Sequence, residues 1–176
     1  GNIPVTFASS AAIYGNGIGT PKAEDCRPSP TSIYGASKLA SEYFGRCLAT
    51  ANNSAITALR LFNVYGPRAF TPSQSVVNQF VKKMEASQSI QIHGDGLQTR
   101  DFVHVKDVIR AFLAAGTLTA HREEHYACCN ICSGEATSIL ELSELVARWF
   151  GRPPLIEYSA RRPGDLIHSF GTQNEM

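Results

Sequence analysis

The sequence predicts an α/β fold built on a parallel sheet, and three observations carry that prediction. Apolar runs of strand length recur at residues 3–8, 55–62 and 126–131. Segments with apolar residues at helical spacing lie between them. The first run stops abruptly at two hydroxyls, Ser9 and Ser10, as expected at the carboxyl end of a buried parallel strand. In open α/β sheets that is the end at which ligands bind.

Taken in order, the elements follow from local chemistry. Gly15-Asn16-Gly17-Ile18-Gly19 is the richest glycine run, but Thr20-Pro21 follows it rather than an apolar helix, so a loop over the site is expected. Pro28 and Pro30 end that stretch, and Thr31 or Ser32 can cap a helix whose apolar side is Leu39, Ala40, Tyr43, Phe44 and Leu48. Asn52-Asn53-Ser54 makes a turn before the second strand, which is expected to end at Asn63. Residues 66–75 read as an irregular loop of the kind that commonly carries function. A helix follows over 74–87, with Val77, Phe80, Val81 and Met84 inward and Lys82 and Lys83 on a solvated face. Residues 89–93 alternate like a strand, and Gly94-Asp95-Gly96 turns the chain. Residues 105–118 are helical, with Asp107 near the positive end. After the strand at 126–131, Ser138 and Glu141 form a capping box for a helix with Leu142, Leu145, Val146 and Trp149 as its apolar side. Gly151 and Pro153-Pro154 stop it, and 155–158 is a short strand.

Bulk properties narrow the function classes. With 176 residues and 43% apolar content, the chain can bury a core as one or two small domains. A net charge of +1 gives no reason to invoke nucleic acid or an anionic membrane. No run is long enough to span a bilayer, and no signal-peptide pattern opens the sequence. The five cysteines, Cys26, Cys47, Cys128, Cys129 and Cys132, lack framework spacing, which suggests a reducing cytoplasm. Cys129-Asn130-Ile131-Cys132 is formally a CxxC, yet no second pair or histidine at ligand spacing accompanies it. Small buried thiols on a strand are the simpler reading, and no metal is expected.

The chemistry centres on Tyr34 and Lys38, which share a helix face at i and i+4. An ammonium ~6 Å from a phenolate stabilises it by about 3 kcal/mol at an effective dielectric near 20. That is most of the roughly 4 kcal/mol separating a free phenol from a base that works at neutral pH. A second positive charge, such as an oxidised nicotinamide ring, would supply the rest. YxxxK alone is a common pattern, but Ser10 upstream, able to hydrogen-bond the same substrate oxygen, makes the order Ser10, Tyr34, Lys38 far more specific.

Five ordered motifs then carry a resemblance. They are Ser9-Ser10-Ala11-Ala12-Ile13-Tyr14-Gly15, Tyr34-Gly35-Ala36-Ser37-Lys38 and Arg60-Leu61-Phe62-Asn63-Val64-Tyr65-Gly66-Pro67-Arg68. The others are Gly94-Asp95-Gly96-Leu97-Gln98-Thr99-Arg100-Asp101-Phe102-Val103-His104-Val105 and Arg162-Pro163-Gly164-Asp165. Together the chain resembles the extended short-chain dehydrogenase/reductases, particularly the NAD-dependent nucleotide-sugar epimerases and dehydratases of the UDP-glucose 4-epimerase type. The resemblance implies the second half of a Rossmann-type doubly wound parallel sheet plus a smaller α/β domain for a sugar nucleotide. It assigns 1–66 and 101–132 to the former, and 67–100 and 133–176 to the latter. The Gly-rich pyrophosphate turn and its following acidic residue have no match here. The first mononucleotide-binding half, and a last helix beyond 171–176, are therefore expected to be missing.

The same resemblance implies site roles. Tyr34 takes the proton of a sugar C4 hydroxyl while hydride passes to NAD, Ser10 holds that oxygen, and Lys38 tunes Tyr34 and contacts the nicotinamide ribose. Ser9 and Phe62 join Tyr34 and Lys38 on the cofactor side. Asn63 and Arg100 hold the substrate diphosphate, His93 stacks on the base, Arg162 pairs with phosphate, and Asp165 takes the ribose hydroxyls. For Arg100 the competing reading is an ion pair with Asp101. The expected activity is C4 epimerisation of a UDP-sugar through a 4-keto intermediate, in a cytoplasmic homodimer when intact. Ala11-Ala12, where dehydratases and decarboxylases of the family usually carry an acid, favours an epimerase. A dehydratase or reductase, or a non-catalytic fragment that binds a partner or a nucleotide sugar, is the alternative.

Overall fold

The computed structural model describes residues 3–16, 21–67, 75–119, 125–162 and 164–172. In chain order these form β1 (Val5–Ser10), a single 3-10 turn (Ala11–Tyr14), α1 (Ile33–Asn52), β2 (Ile56–Leu61), β3 (Asn63–Tyr65), α2 (Val76–Glu85) and β4 (Ile90–His93). There follow β5 (Thr99–Arg100), β6 (Phe102–His104), α3 (Val105–Thr119), β7 (Tyr126–Ile131), β8 (Thr137–Ser138), α4 (Ile139–Phe150), β9 (Ile156–Ser159) and β10 (His168–Ser169).

The expected parallel sheet is present, in the order β1-β2-β7. Val5 aligns with Ile56 and Tyr126 at one end, and Ser10 with Leu61 at the other. Its two faces carry different cores. On one, Leu59, Cys129 and Ile131 pack with Val108, Ala111 and Ala115 of α3. On the other lies α1, so close that a side chain at Gly45 would stand 3.1 Å from the Phe7 ring and 3.4 Å from the Tyr126 ring. A second layer arises where β4 and β9 pair in parallel and α2 and α4 cover them, burying Phe80, Met84, Ile90, Ile92, Leu142 and Val146 together. The short pairs β3-β6 and β10-β5-β8 join the two layers.

Several expectations need correction. The apolar side expected for α1 is largely outward: Tyr43, Phe44 and Leu48 are 59%, 70% and 54% exposed. The face against the sheet is Gly35, Glu42, Gly45 and Ala49. Helical spacing locates a stripe, but here the sheet accepts the small one, because close approach excludes bulk. Likewise α4 buries Ile139, Leu142, Ser143, Val146 and Ala147, while Leu145 and Trp149 stay 45% and 83% exposed. Ser9 and Ser10 do close β1, at its carboxyl end as expected. β2 ends at Leu61, and Asn63 opens β3 rather than ending the second strand, with its N–H donating to the Asp101 carbonyl. The caps follow the sequence: Ser32 accepts from the Gly35 N–H at 3.0 Å and Ser138 from that of Glu141 at 3.0 Å. Most of the expected glycine loop and of the loop at 66–75 lies outside the described residues.

One buried polar network ties α1 to the sheet. Arg60, the penultimate residue of β2, forks onto Glu42 through Nε at 3.0 Å and Nη2 at 2.8 Å. Ser9 donates to the same carboxylate at 2.5 Å. The Nη1 of Arg60 donates to the Tyr14 hydroxyl at 2.9 Å and to the Glu24 carbonyl at 2.8 Å. Tyr14 passes its own proton to Asn130 at 2.7 Å. Burial works against the Arg60 charge, but its bonds to Glu42 and the field of Tyr14 outweigh that and hold it firmly protonated. Burial also pushes Tyr14 well above the ordinary phenol range, with Arg60 pulling back.

Two outcomes follow from this packing. Glu42→Ala leaves a buried guanidinium unpaired and is expected to cost about 3–5 kcal/mol in urea unfolding, with Glu42→Gln costing less; equal stability of all three proteins would contradict the network. Iodoacetamide at about pH 8, near the ordinary thiol range, should label exposed Cys47 in the native chain and spare buried Cys129 and Cys132. Burial raises the Cys132 thiol to about 12, and mass spectrometry of the digested protein reads out the pattern.

Candidate functional site

Two groups of side chains meet the sequence expectations, one at the end of β1 and one in a cleft of the second layer. At the end of β1, the Lys38 ammonium donates to the Ala8 carbonyl at 2.9 Å and stands 5.8 Å from the centre of the Tyr34 ring. One of its three hydrogens is thereby fixed by the strand that carries Ser10. Tyr34 sits on the first turn of α1 and is 56% exposed. Ser10 caps the 3-10 turn by accepting from the Ala12 N–H at 3.2 Å, which leaves its own hydroxyl proton for another oxygen. The approach of that turn to α1 depends on Gly35, where a Cβ would lie 2.6 Å from the Ala12 carbonyl oxygen.

Ser9 and Phe62 sit deeper. Ser9 is 2% exposed, its hydroxyl committed to Glu42. Phe62 is 6% exposed, packed with Ala11, Ile13, Tyr14 and Cys132. Gly171 lies against its ring, so that a Cβ there would be 2.6 Å from it.

The second group is brought together completely. Asn63, His93, Arg100, Arg162 and Asp165 all line one cleft of about 760 Å³. β3, β4, β5 and the chain after β9 deliver them, so residues about a hundred positions apart face one space. Along the chain, one wall of the cleft adjoins the strand that pairs with β1. Ser10 pairs with Leu61 in the sheet, and Asn63 is two residues further on, a reach of about 7 Å at strand rise.

Within the cleft both arginines are already bonded. Arg100 donates to Asp165 at 2.6 Å and to the Thr99 carbonyl at 2.8 Å. Burial lowers its affinity for the proton, with Asp165 opposing. The competing reading of an Arg100–Asp101 ion pair is not what forms. Asp101 is fully buried and accepts instead from the Ser133 N–H and hydroxyl at 2.6 and 2.8 Å, from Gly134 at 2.9 Å and from Gly171 at 3.3 Å. Arg162 donates to His93 Nε2 at 2.8 Å, and the other ring nitrogen meets Ser159 Oγ at 2.7 Å.

Sequence reasoning passed over several residues here. Gln79, Lys82 and Lys83 of α2 and Gln98 also line the cleft, although the lysines were expected only to face solvent. Nothing in the helical spacing marks them, because the cleft wall is made by the packing of α2 beside β4. Glu42 did carry a signal: it continues the Tyr34, Lys38 series at i+8, and Arg60 is a charge inside an apolar strand. The CxxC residues are buried thiols that are not joined in a disulfide. Among the described residues no group of three or more His, Cys, Asp or Glu side chains could hold a metal ion, and no helix is long and apolar enough to cross a membrane.

Comparison with known proteins now bears on this geometry. A sequence profile of the NAD dependent epimerase/dehydratase family matches residues 2–130. The dTDP-L-rhamnose 4-epimerase of Burkholderia thailandensis is 37% identical over 150 residues, which is 84% of this chain and 40% of that protein. The UDP-glucose 4-epimerase of Mycolicibacterium smegmatis is 32% identical over 94% of this chain and 52% of its own length. Among solved structures, MoeE5 in complex with UDP-glucose and NAD superposes with a TM-score of 0.87 at 32% identity, covering 98% of this chain and 56% of that one. The chain thus spans about half the length of the relatives it matches. On the profile match and these relatives together, the chain belongs to the NAD dependent epimerase/dehydratase family.

Proposed function

We propose that this chain carries the substrate cleft and the proton-transfer residues of an NAD-dependent nucleotide-sugar 4-epimerase of the UDP-glucose/UDP-galactose type. The observation that carries the reading is the cleft itself, which gathers an amide, an imidazole, two guanidinium groups and a carboxylate and opens two residues from the strand position paired with Ser10. A guanidinium fork suits phosphate oxygens, so a nucleoside diphosphate in the cleft would place its sugar near the end of β1. The relatives support the same class: two are 4-epimerases, and MoeE5 is seen with UDP-glucose and NAD.

The residues at the end of β1 fit a dinucleotide. Lys38 has ammonium hydrogens beyond the one given to Ala8, and Tyr34 offers an exposed phenol beside it. Bound NAD would supply a reversible hydride acceptor. In the proposed reaction Tyr34 Oη removes the proton from the sugar C4 hydroxyl, and Ser10 donates its free O–H to that oxygen. Lys38 stabilises the phenolate electrostatically while its bond to Ala8 keeps it in register with the strand. Asn63, Arg100 and Arg162 keep hold of the diphosphate while the 4-keto sugar presents its other face. Tyr34 then returns the proton.

We further assign residues 1–66 and 101–132 to the cofactor-side layer and the remainder to the substrate side, and propose that the intact protein is a homodimer. The assay uses the protein as its source gene encodes it, with UDP-galactose and NAD⁺. UDP-glucose should form, and inactivity on every UDP-sugar tried would refute the epimerase reading. Tyr34→Phe should lower turnover by about two orders of magnitude or more, the scale of a lost acid–base group, without shifting the melting midpoint. Arg100→Ala should weaken UDP roughly 10- to 100-fold in calorimetric titration, the worth of one bond to a charged group.

A further inference from the structure

The His93 ring is held at both nitrogens, and the arrangement fixes its tautomer. A guanidinium can only donate, so the Nε2 that lies 2.8 Å from Arg162 Nη2 accepts. The ring proton is then on Nδ1, where it is donated to Ser159 Oγ at 2.7 Å. Ser159 is not a chance neighbour: it is the residue paired with His93 across β4 and β9. The imidazole is therefore braced by its own sheet on one side and presents a lone pair to the cleft on the other. Arg162 itself is exposed, and an exposed arginine is a long side chain whose freedom is costly to lose on binding. Its contact with His93 uses one donor of five and leaves the rest of the fork for an anion.

We propose that His93 is a positioning residue, which holds the guanidinium of Arg162 in the cleft ready for the phosphates of a nucleoside diphosphate, rather than a ring that stacks on the base. The inference rests on the reading of the cleft as a nucleotide-sugar site. A phenyl ring stacks at least as well as imidazole but offers Arg162 no lone pair, whereas an amide oxygen does.

The test is calorimetric titration with UDP of the protein as its source gene encodes it, using His93→Phe, His93→Gln, Arg162→Ala and the His93→Phe/Arg162→Ala double variant. Circular dichroism confirms that each is folded. Positioning predicts that His93→Phe weakens UDP about tenfold, the worth of one hydrogen bond. His93→Gln should recover most of that loss, and the double variant should bind no worse than Arg162→Ala alone, since the two act through one contact. His93→Phe binding as tightly as the unmodified chain or tighter would overturn the proposal in favour of stacking. So would fully additive losses. If the unmodified chain itself fails to bind UDP, the reading of the cleft falls and takes this role with it; if it binds and His93→Phe is indifferent, only the role of His93 falls.

Discussion

The constraint on which the rest depends is the buried ion pair between Glu42 and Arg60, whose side chains are 6% and 7% exposed. Removing two charges from water is costly, and the pair is tolerable only because nearly every lone pair and proton around it is used. The Arg60 fork takes both Glu42 oxygens, and its remaining donors go to Tyr14 and the Glu24 carbonyl, while Ser9 fills the carboxylate. The consequence is registration. Glu42 stands one and two helical turns beyond Lys38 and Tyr34, and Ser9 is adjacent to Ser10 in the strand. One electrostatic cluster thus sets where the helix bearing the proposed base lies against the strand bearing the proposed oxygen ligand. The glycines at 35 and 45 make the same alignment sterically possible, by letting the 3-10 turn and the Phe7 ring come within contact distance of the helix axis.

The cleft follows a different logic. Its two arginines are already engaged: Arg100 is bonded to Asp165 and Arg162 to His93. A diphosphate that enters must therefore compete with, or be added to, bonds that already exist. Such pre-bonding lowers the ordering cost of two long side chains, since their orientation is paid for during folding. It also restrains anions that cannot replace those bonds. The Asp101 carboxylate, fully buried and shared among the Ser133-Gly134 loop and Gly171, ties the chain after β7 and β10 to the strand from which Arg100 projects. An aspartate in the middle of a binding motif is here a fixture of the scaffold.

The four helices and the five longer strands of the described residues were legible in the sequence, because they arise from local rules, whereas the five strands of two or three residues were not. Apolar runs gave the three parallel strands within two residues, Ser32 and Ser138 announced their helices, and Asn53 closes α1 in the left-handed conformation at φ 50° that suits a turn-forming asparagine. The motifs also picked out Asn63, Arg100, Arg162 and Asp165, which the fold then collected around a single space with His93. What failed was the choice of helix face. Tyr43, Phe44 and Leu48 have the right period on α1, as do Leu145 and Trp149 on α4, yet all five are substantially exposed. Periodicity is a property of one segment, whereas which stripe is buried depends on how closely the opposing surface approaches.

By itself, then, the amino-acid order determined the kinds of elements, their sequence, the chemistry presented at the end of β1 and the family to which the chain belongs. Only the tertiary structure decided pairings: Arg60 with Glu42, Arg100 with Asp165 rather than its neighbour Asp101, and Arg162 with His93. The physical reason is distance along the chain. Each of the three pairs joins residues from separate elements, and a donor in the sequence does not name its acceptor until packing brings one within about 3 Å.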